Sequence, residues 1–256
     1  MINYLLLFIA TLVVLGCGGE SGSSTGTTAS STTTGVSGSM ARFAISGDYL
    51  YTIKGEQMDI FDLSDASNPQ SASKVHLPFN VETIFAYKDY LYIGASTGVY
   101  IYDKSIPTQP TKIAELSHAQ SCDPIVIDDD IAYITLNSSS SCSIYGDVNS
   151  LMIVDMQDPT TPAFIKSVDM WAPTGLGVDD GKLFICDGDS GLKIFDINKI
   201  DNGTSIDVNI SNIGYNNEID CYDLIAHQNN LIISNKGEIR QYDYSSFPMY
   251  ELGQIK

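Results

Sequence analysis

Residues 151–162 read LMIVDMQDPTTP. Strand-forming side chains at successive positions lead into an aspartate, and a turn punctuated by prolines follows. Close variants stand at 58–62 (MDIFD), 99–103 (VYIYD), 192–196 (LKIFD) and 239–243 (IRQYD). A segment that recurs at this spacing is one unit of an array, and an array decides the fold before any single residue does.

Working outward from the motif, a second short strand precedes each copy: YLY at 49–51 and again at 90–92, IAY at 131–133, KLF at 182–184 and NLI at 230–232. Ahead of these stand Gly47-Asp48, Lys88-Asp89, Asp129-Asp130, Asp180-Gly181 and Gln228-Asn229, the compositions of two-residue hairpin loops. Before each loop lies a short apolar strand, such as FAI at 43–45, and after each motif a looser outer strand, such as AFIKSV at 163–168. Tyr51 to Asp62, Tyr92 to Asp103 and Ile232 to Asp243 are each 11 residues apart, and Phe184 to Asp196 is 12. Tyr133 to Asp155 is 22, so the third unit carries an insertion of 11 residues, within 137–149. Pro69, Pro110 and Pro162 each fall seven residues after the motif aspartate, where proline ends a ladder and turns the chain toward the edge. The aspartate recurs in every unit, which points to hydrogen bonding with turn amides and away from catalysis.

Four-strand units at this period predict an all-β chain, a β-propeller of five four-stranded blades at about 41–78, 79–117, 122–169, 173–214 and 221–256. The motif resembles the LVIVD repeat of bacterial and archaeal surface proteins; LMIVD at 151–155 is nearly literal, and GDSGLKIFD at 188–196 is similarly close. That resemblance implies a propeller over 41–256 and no common catalytic residue. The fifth outer strand, at about 249–255, uses up the repeat, so closure of the ring is expected to rest on packing between blades one and five. The competing expectation is an open array that needs a partner.

The N-terminus reads as an address. Residues 2–15 are apolar without a charged side chain and too short for a membrane span of about 20 residues. The run ends in VLGC at 14–17, which resembles a bacterial lipoprotein signal with Cys17 as the lipid acceptor. This reading makes 1–16 a signal peptide and 17–40 a lipidated cysteine followed by a Ser/Thr/Gly-rich tether. It places the chain in the bacterial cell envelope, at the outer membrane, on its periplasmic or surface face.

With 31 acidic against 13 basic side chains, the formal net charge is −18. Such a balance disfavours nucleic acid, which demands a basic footprint, and direct binding to anionic lipid. Besides Cys17, the chain has Cys122, Cys142, Cys186 and Cys221. In an exported chain they suggest two disulfides, with three connectivities available, or free buried thiols. Blade geometry places all four on one rim and favours Cys122–Cys142 within blade three and Cys186–Cys221 between blades four and five. The same rim is expected to carry the insertion, the sole tryptophan Trp171, and Asp123, Asp187, Asp189, Glu218 and Asp220 as a candidate binding face; Trp171 there either recognises a ligand or plugs a gap between blades.

No nucleophile elbow, phosphate loop, zinc-ligand pair or paired catalytic carboxylate stands at useful spacing. The fragment DGD at 187–189 lacks the later glutamate of a calcium loop. His76, His118 and His227 occupy no equivalent positions. No cofactor and no metal is expected. The sequence supports a non-catalytic interaction or scaffolding module with a protein or glycan ligand. The alternative is a hydrolase or lyase acting on glycans at the propeller axis, which a carboxylate pair near that axis would favour.

Overall fold

A computed structural model describes residues 38–117, 124–138, 148–203, 205–235 and 237–256. Among these residues the chain forms twenty strands in five antiparallel sheets of four, each sheet drawn from one continuous segment. Blade one comprises β1 (Phe43–Ser46), β2 (Tyr49–Lys54), β3 (Gln57–Asp62) and β4 (Gln70–His76). Blade two comprises β5 (Val81–Tyr87), β6 (Tyr90–Ala95), β7 (Gly98–Asp103) and β8 (Thr111–Ser117). Blade three comprises β9 (Ile125–Asp128), β10 (Ile131–Asn137), β11 (Asn149–Asp155) and β12 (Ala163–Asp169). Blade four comprises β13 (Leu176–Asp179), β14 (Lys182–Cys186), β15 (Leu192–Asp201) and β16 (Ile206–Asn216). Blade five comprises β17 (Asp223–His227), β18 (Asn230–Ser234), β19 (Ile239–Asp243) and β20 (Tyr250–Ile255). The molecule is the five-bladed propeller that the repeat predicts.

The first hairpin of every blade closes through a two-residue loop. Positive φ at Asp129 and Asp130, at Asp180 and Gly181, and at Gln228 and Asn229 gives these loops the twist that matches their strands. The third strand ends at the motif aspartate, whose carboxylate accepts the amide of the residue two further on. Ser64 donates to Asp62 at 2.7 Å, Ser105 to Asp103 at 2.7 Å, Gln157 to Asp155 at 2.9 Å and Ser245 to Asp243 at 2.7 Å. Hydrogen bonds from both the hydroxyl and the amide of Ser245, and from the amide and hydroxyl of Ser64 and of Ser105, hold the carboxyls of Asp243, Asp62 and Asp103 below the usual range. Blade four departs from the pattern. β15 and β16 pair five residues beyond Asp196, and the turn bond moves to Asp201, which accepts the Gly203 amide at 2.7 Å.

Apolar clusters fill four of the five blade junctions. Met58 and Ile60 meet Ile84 and Leu91 between blades one and two, and Val99 and Ile101 meet Ile134 and Val154 between two and three. Tyr133 and Ile153 meet Leu183 and Phe195 between three and four, and Phe184 and Ile194 meet Leu231 and Tyr242 between four and five. Strands in the middle blades are therefore buried on both faces; all seven residues of β10 are buried.

The junction of blades five and one is built differently. Phe43, Ile232 and Ile239, on faces turned away from the packed neighbours, remain 50%, 38% and 45% exposed. Polar bonds from the segment ahead of β1 tie the ring here. The Ser39 hydroxyl donates to Asp223 at 3.1 Å and accepts the Leu176 amide at 2.8 Å, while Ala41 accepts the Ile84 amide at 3.0 Å. One short segment thus bonds to blades two, four and five. Among the described residues no buried apolar cluster spans blades one and five, and Ser39, which composition placed in the tether through residue 40, is buried and bonded to blades four and five. A hydroxyl side chain in a Ser/Thr/Gly run carries no sign that it caps another blade, which is why composition assigned it to the tether.

Candidate functional site

Each innermost strand begins on one rim, termed upper here, and ends on the other. The upper rim gathers the loops that precede innermost strands and the hairpins between second and third strands. Cys186 ends β14 and Cys221 precedes β17; the two are disulfide-bonded, with Cα atoms 5.1 Å apart. This is the expected link between blades four and five, and it secures a junction that also buries Ile219 and Tyr244. Cys122, Cys142, Asp123 and His118 lie outside the described residues, as does Cys17.

Trp171 is presented on this rim and is 64% exposed. Its backbone is fixed from below. The Asp187 carboxylate accepts the Trp171 amide at 2.9 Å and the Ala172 amide at 2.9 Å, and it pairs with the Lys193 ammonium. Asp187 is fully buried, so it is not a rim acid facing a ligand, as its sequence context suggested, but the group that positions Trp171. Gly188 adopts φ +55° directly after it, and a Cβ there would sit 3.0 Å from Ala172. A side chain at 188 would meet both a strained backbone and the loop that carries the indole. Trp171 lines an open groove with Asn149, Asp169, Met170, Gly188 and Asp189. Asn149 also secures the base of the blade-three insertion, accepting the Ser138 amide at 3.0 Å. Asp189 is exposed beside Trp171, whereas Glu218 and Asp220 are exposed near Cys221 and do not line this groove.

The second feature lies on the axis. A central cavity of about 220 Å³ is lined by the innermost strands of all five blades. At its lower end, equivalent hairpin positions carry Ser46, Tyr87, Asp128, Asp179 and His227. Of these, Tyr87, Asp128, Asp179 and His227 line the cavity. Burial, and then the neighbouring Asp129, pushes the Asp128 carboxyl above the usual range; Asp179 adds to this and Lys199 opposes it. Asp179 accepts the Tyr244 hydroxyl across the junction of blades four and five. The sequence reading missed this ring because its members differ in type. The available signal was position, one residue before each tight loop. Among the described residues no group of three His, Cys, Asp or Glu side chains is arranged to hold a metal ion.

The LVIVD repeat family matches residues 37–76 and 145–170, so the chain carries LVIVD repeats. No curated protein matches it in sequence. Similar solved structures include a Lactobacillus plantarum protein at 13% identity and a TM-score of 0.59, covering 81% of this chain and 67% of the other. A protein of unknown function from Desulfotomaculum acetoxidans is 14% identical with a TM-score of 0.58, over 82% and 68% of the two chains. The periplasmic gluconolactonase of Pseudomonas aeruginosa is 12% identical with a TM-score of 0.54, over 82% and 67%. At these identities the likeness is one of fold.

Proposed function

We propose that this LVIVD-repeat propeller is a non-catalytic interaction or scaffolding module of the bacterial cell envelope, anchored through lipid on Cys17. Its upper rim would meet a protein or glycan. The observation that carries the reading is the presentation of Trp171. A large indole stands mostly in solvent, yet its backbone is held by a fully buried carboxylate that is itself paired. Pre-organising an exposed aromatic lowers the ordering cost of binding, and tryptophan is enriched among residues that dominate interfaces. Affinity capture from intact envelopes tests it. Trp171→Ala is expected to lose partners that the parent protein retains, and Cys17→Ala to release the chain from the membrane fraction. An unchanged partner set in Trp171→Ala removes the upper rim from the proposal.

One observation favours the enzymatic alternative. Asp128 and Asp179 stand on adjacent blades in a cavity at the axis, and the raised Asp128 carboxyl is the kind of group that serves as a general acid. The gluconolactonase shares the fold, which hosts many unrelated functions. Hydrolysis of lactones or glycosides that is lost in Asp128→Asn, with the fold retained, would establish this alternative.

A further inference from the structure

The groove beside Trp171 has a composition that selects the charge of its occupant. Asp169 and Asp189 line the groove with Trp171 and are exposed, and neither pairs with a basic side chain among the described residues. Lys193 lies beneath, but its ammonium is committed to the buried Asp187. An apolar occupant would take two carboxylates out of water without compensation, and an anionic one would meet them and a net charge of −18. A cation gains from all three groups at once. It is attracted to the indole face and hydrogen-bonds the carboxylates with charge assistance.

The molecule already contains this combination in satisfied form. In blade two the Lys112 ammonium sits 4.4 Å over the Tyr100 ring and pairs with Glu115 at 2.7 Å. The Trp171 groove likewise brings an aromatic ring and carboxylates together, with tryptophan the stronger of the two rings for this purpose. We propose that it receives a lysine or arginine side chain from a partner protein. This inference rests on the upper rim being the binding face and names the chemistry by which that face recognises its partner.

Because Trp171 is the sole tryptophan, its emission reports this groove alone. The full-length protein is titrated with tetra-arginine, tetraglutamate, spermidine and cellotetraose. Tetra-arginine is expected to shift the emission saturably, more weakly at about 0.5 M salt than at 0.05 M. Asp169→Asn/Asp189→Asn is expected to bind it about tenfold more weakly, and calorimetry is expected to show Trp171→Phe binding more weakly and Trp171→Ala not at all. Circular dichroism checks that each variant is folded. Equal binding by the folded double-Asn variant overturns the proposal, as does a shift by tetraglutamate. A shift by cellotetraose alone overturns it in favour of a glycan and leaves the rim as the binding face. Binding of spermidine as tight as that of tetra-arginine overturns the protein source and leaves the cation chemistry. Silence towards every probe overturns the cationic proposal. The envelope capture with Trp171→Ala is independent of these probes and shows separately whether the rim itself fails.

Discussion

Asp187 and Ser39 each do work that their local sequence conceals. Asp187 looks like part of an acidic loop, yet it is fully buried and satisfied by two backbone amides and Lys193. Truncating it strands a largely buried ammonium, so Asp187→Ala is expected to cost about 3 kcal/mol in urea unfolding. Asp187→Ala/Lys193→Met should recover part of that loss, because the uncompensated charge is then gone. Ser39→Ala removes a buried hydroxyl that both donates and accepts across blades, with an expected cost of about 2 kcal/mol by the same measurement. The place of Trp171 on the upper rim was legible, because it stands in the loop ahead of an innermost strand. Its support was not legible, because Asp187 lies 16 residues downstream and meets it only through the packing of blades three and four.

At the scale of the element, the repeat motif was fully legible in blades one to three. Apolar alternation, the terminal aspartate and proline seven residues later correspond to a third strand, an amide-binding turn and the start of the outer strand. The length of β15 was not legible, because Asp196 stands where the motif ends the third strand in the other blades, while the pairing with β16 runs on through Ile197, Asn198, Lys199 and Ile200. The difference is testable. Asp62→Ala and Asp103→Ala should lower the thermal midpoint, because each loses its turn bond. Asp196→Ala should leave it unchanged, since blade four turns at Asp201. The disulfide acts between elements. It closes a loop with a sequence separation of 35, so Cys186→Ala/Cys221→Ala is expected to lose about 3 to 4 kcal/mol on the chain-entropy model. The loss should fall mainly at the junction of blades four and five, where hydrogen exchange can localise it.

For the whole molecule, the five-blade architecture followed from counting repeats, but the manner of closure did not. Repeats describe what blades share, and the segment ahead of β1 belongs to none of them. Its acceptor, Asp223, is largely buried, and desolvation raises its carboxyl above the usual range despite hydrogen bonds from Ser39, Met40 and Leu224. The folded state therefore holds that proton more tightly than the unfolded state does. Stability from this group is complete below the ordinary aspartate value, about pH 4, and declines as pH rises through the raised value. The turn aspartates act in the opposite sense: their contribution is present above the ordinary value and is lost as pH falls through their lowered values. Stability is expected to peak in mildly acidic solution. Asp223→Asn should flatten the decline above the peak and leave the acid limb in place, as read from urea midpoints against pH. A net charge of −18 adds a repulsion that salt should relieve.

The central claim is that the upper rim, where Trp171 stands, is the face that meets a partner. The most direct measurement places a photo-crosslinking residue at position 171 or, on the opposite rim, at position 227, in the full-length protein in intact cells. The account predicts a discrete crosslinked species from position 171 and none from position 227. Crosslinks from position 227 with none from 171 would contradict it and move attention to the axial cavity and its carboxylate pair.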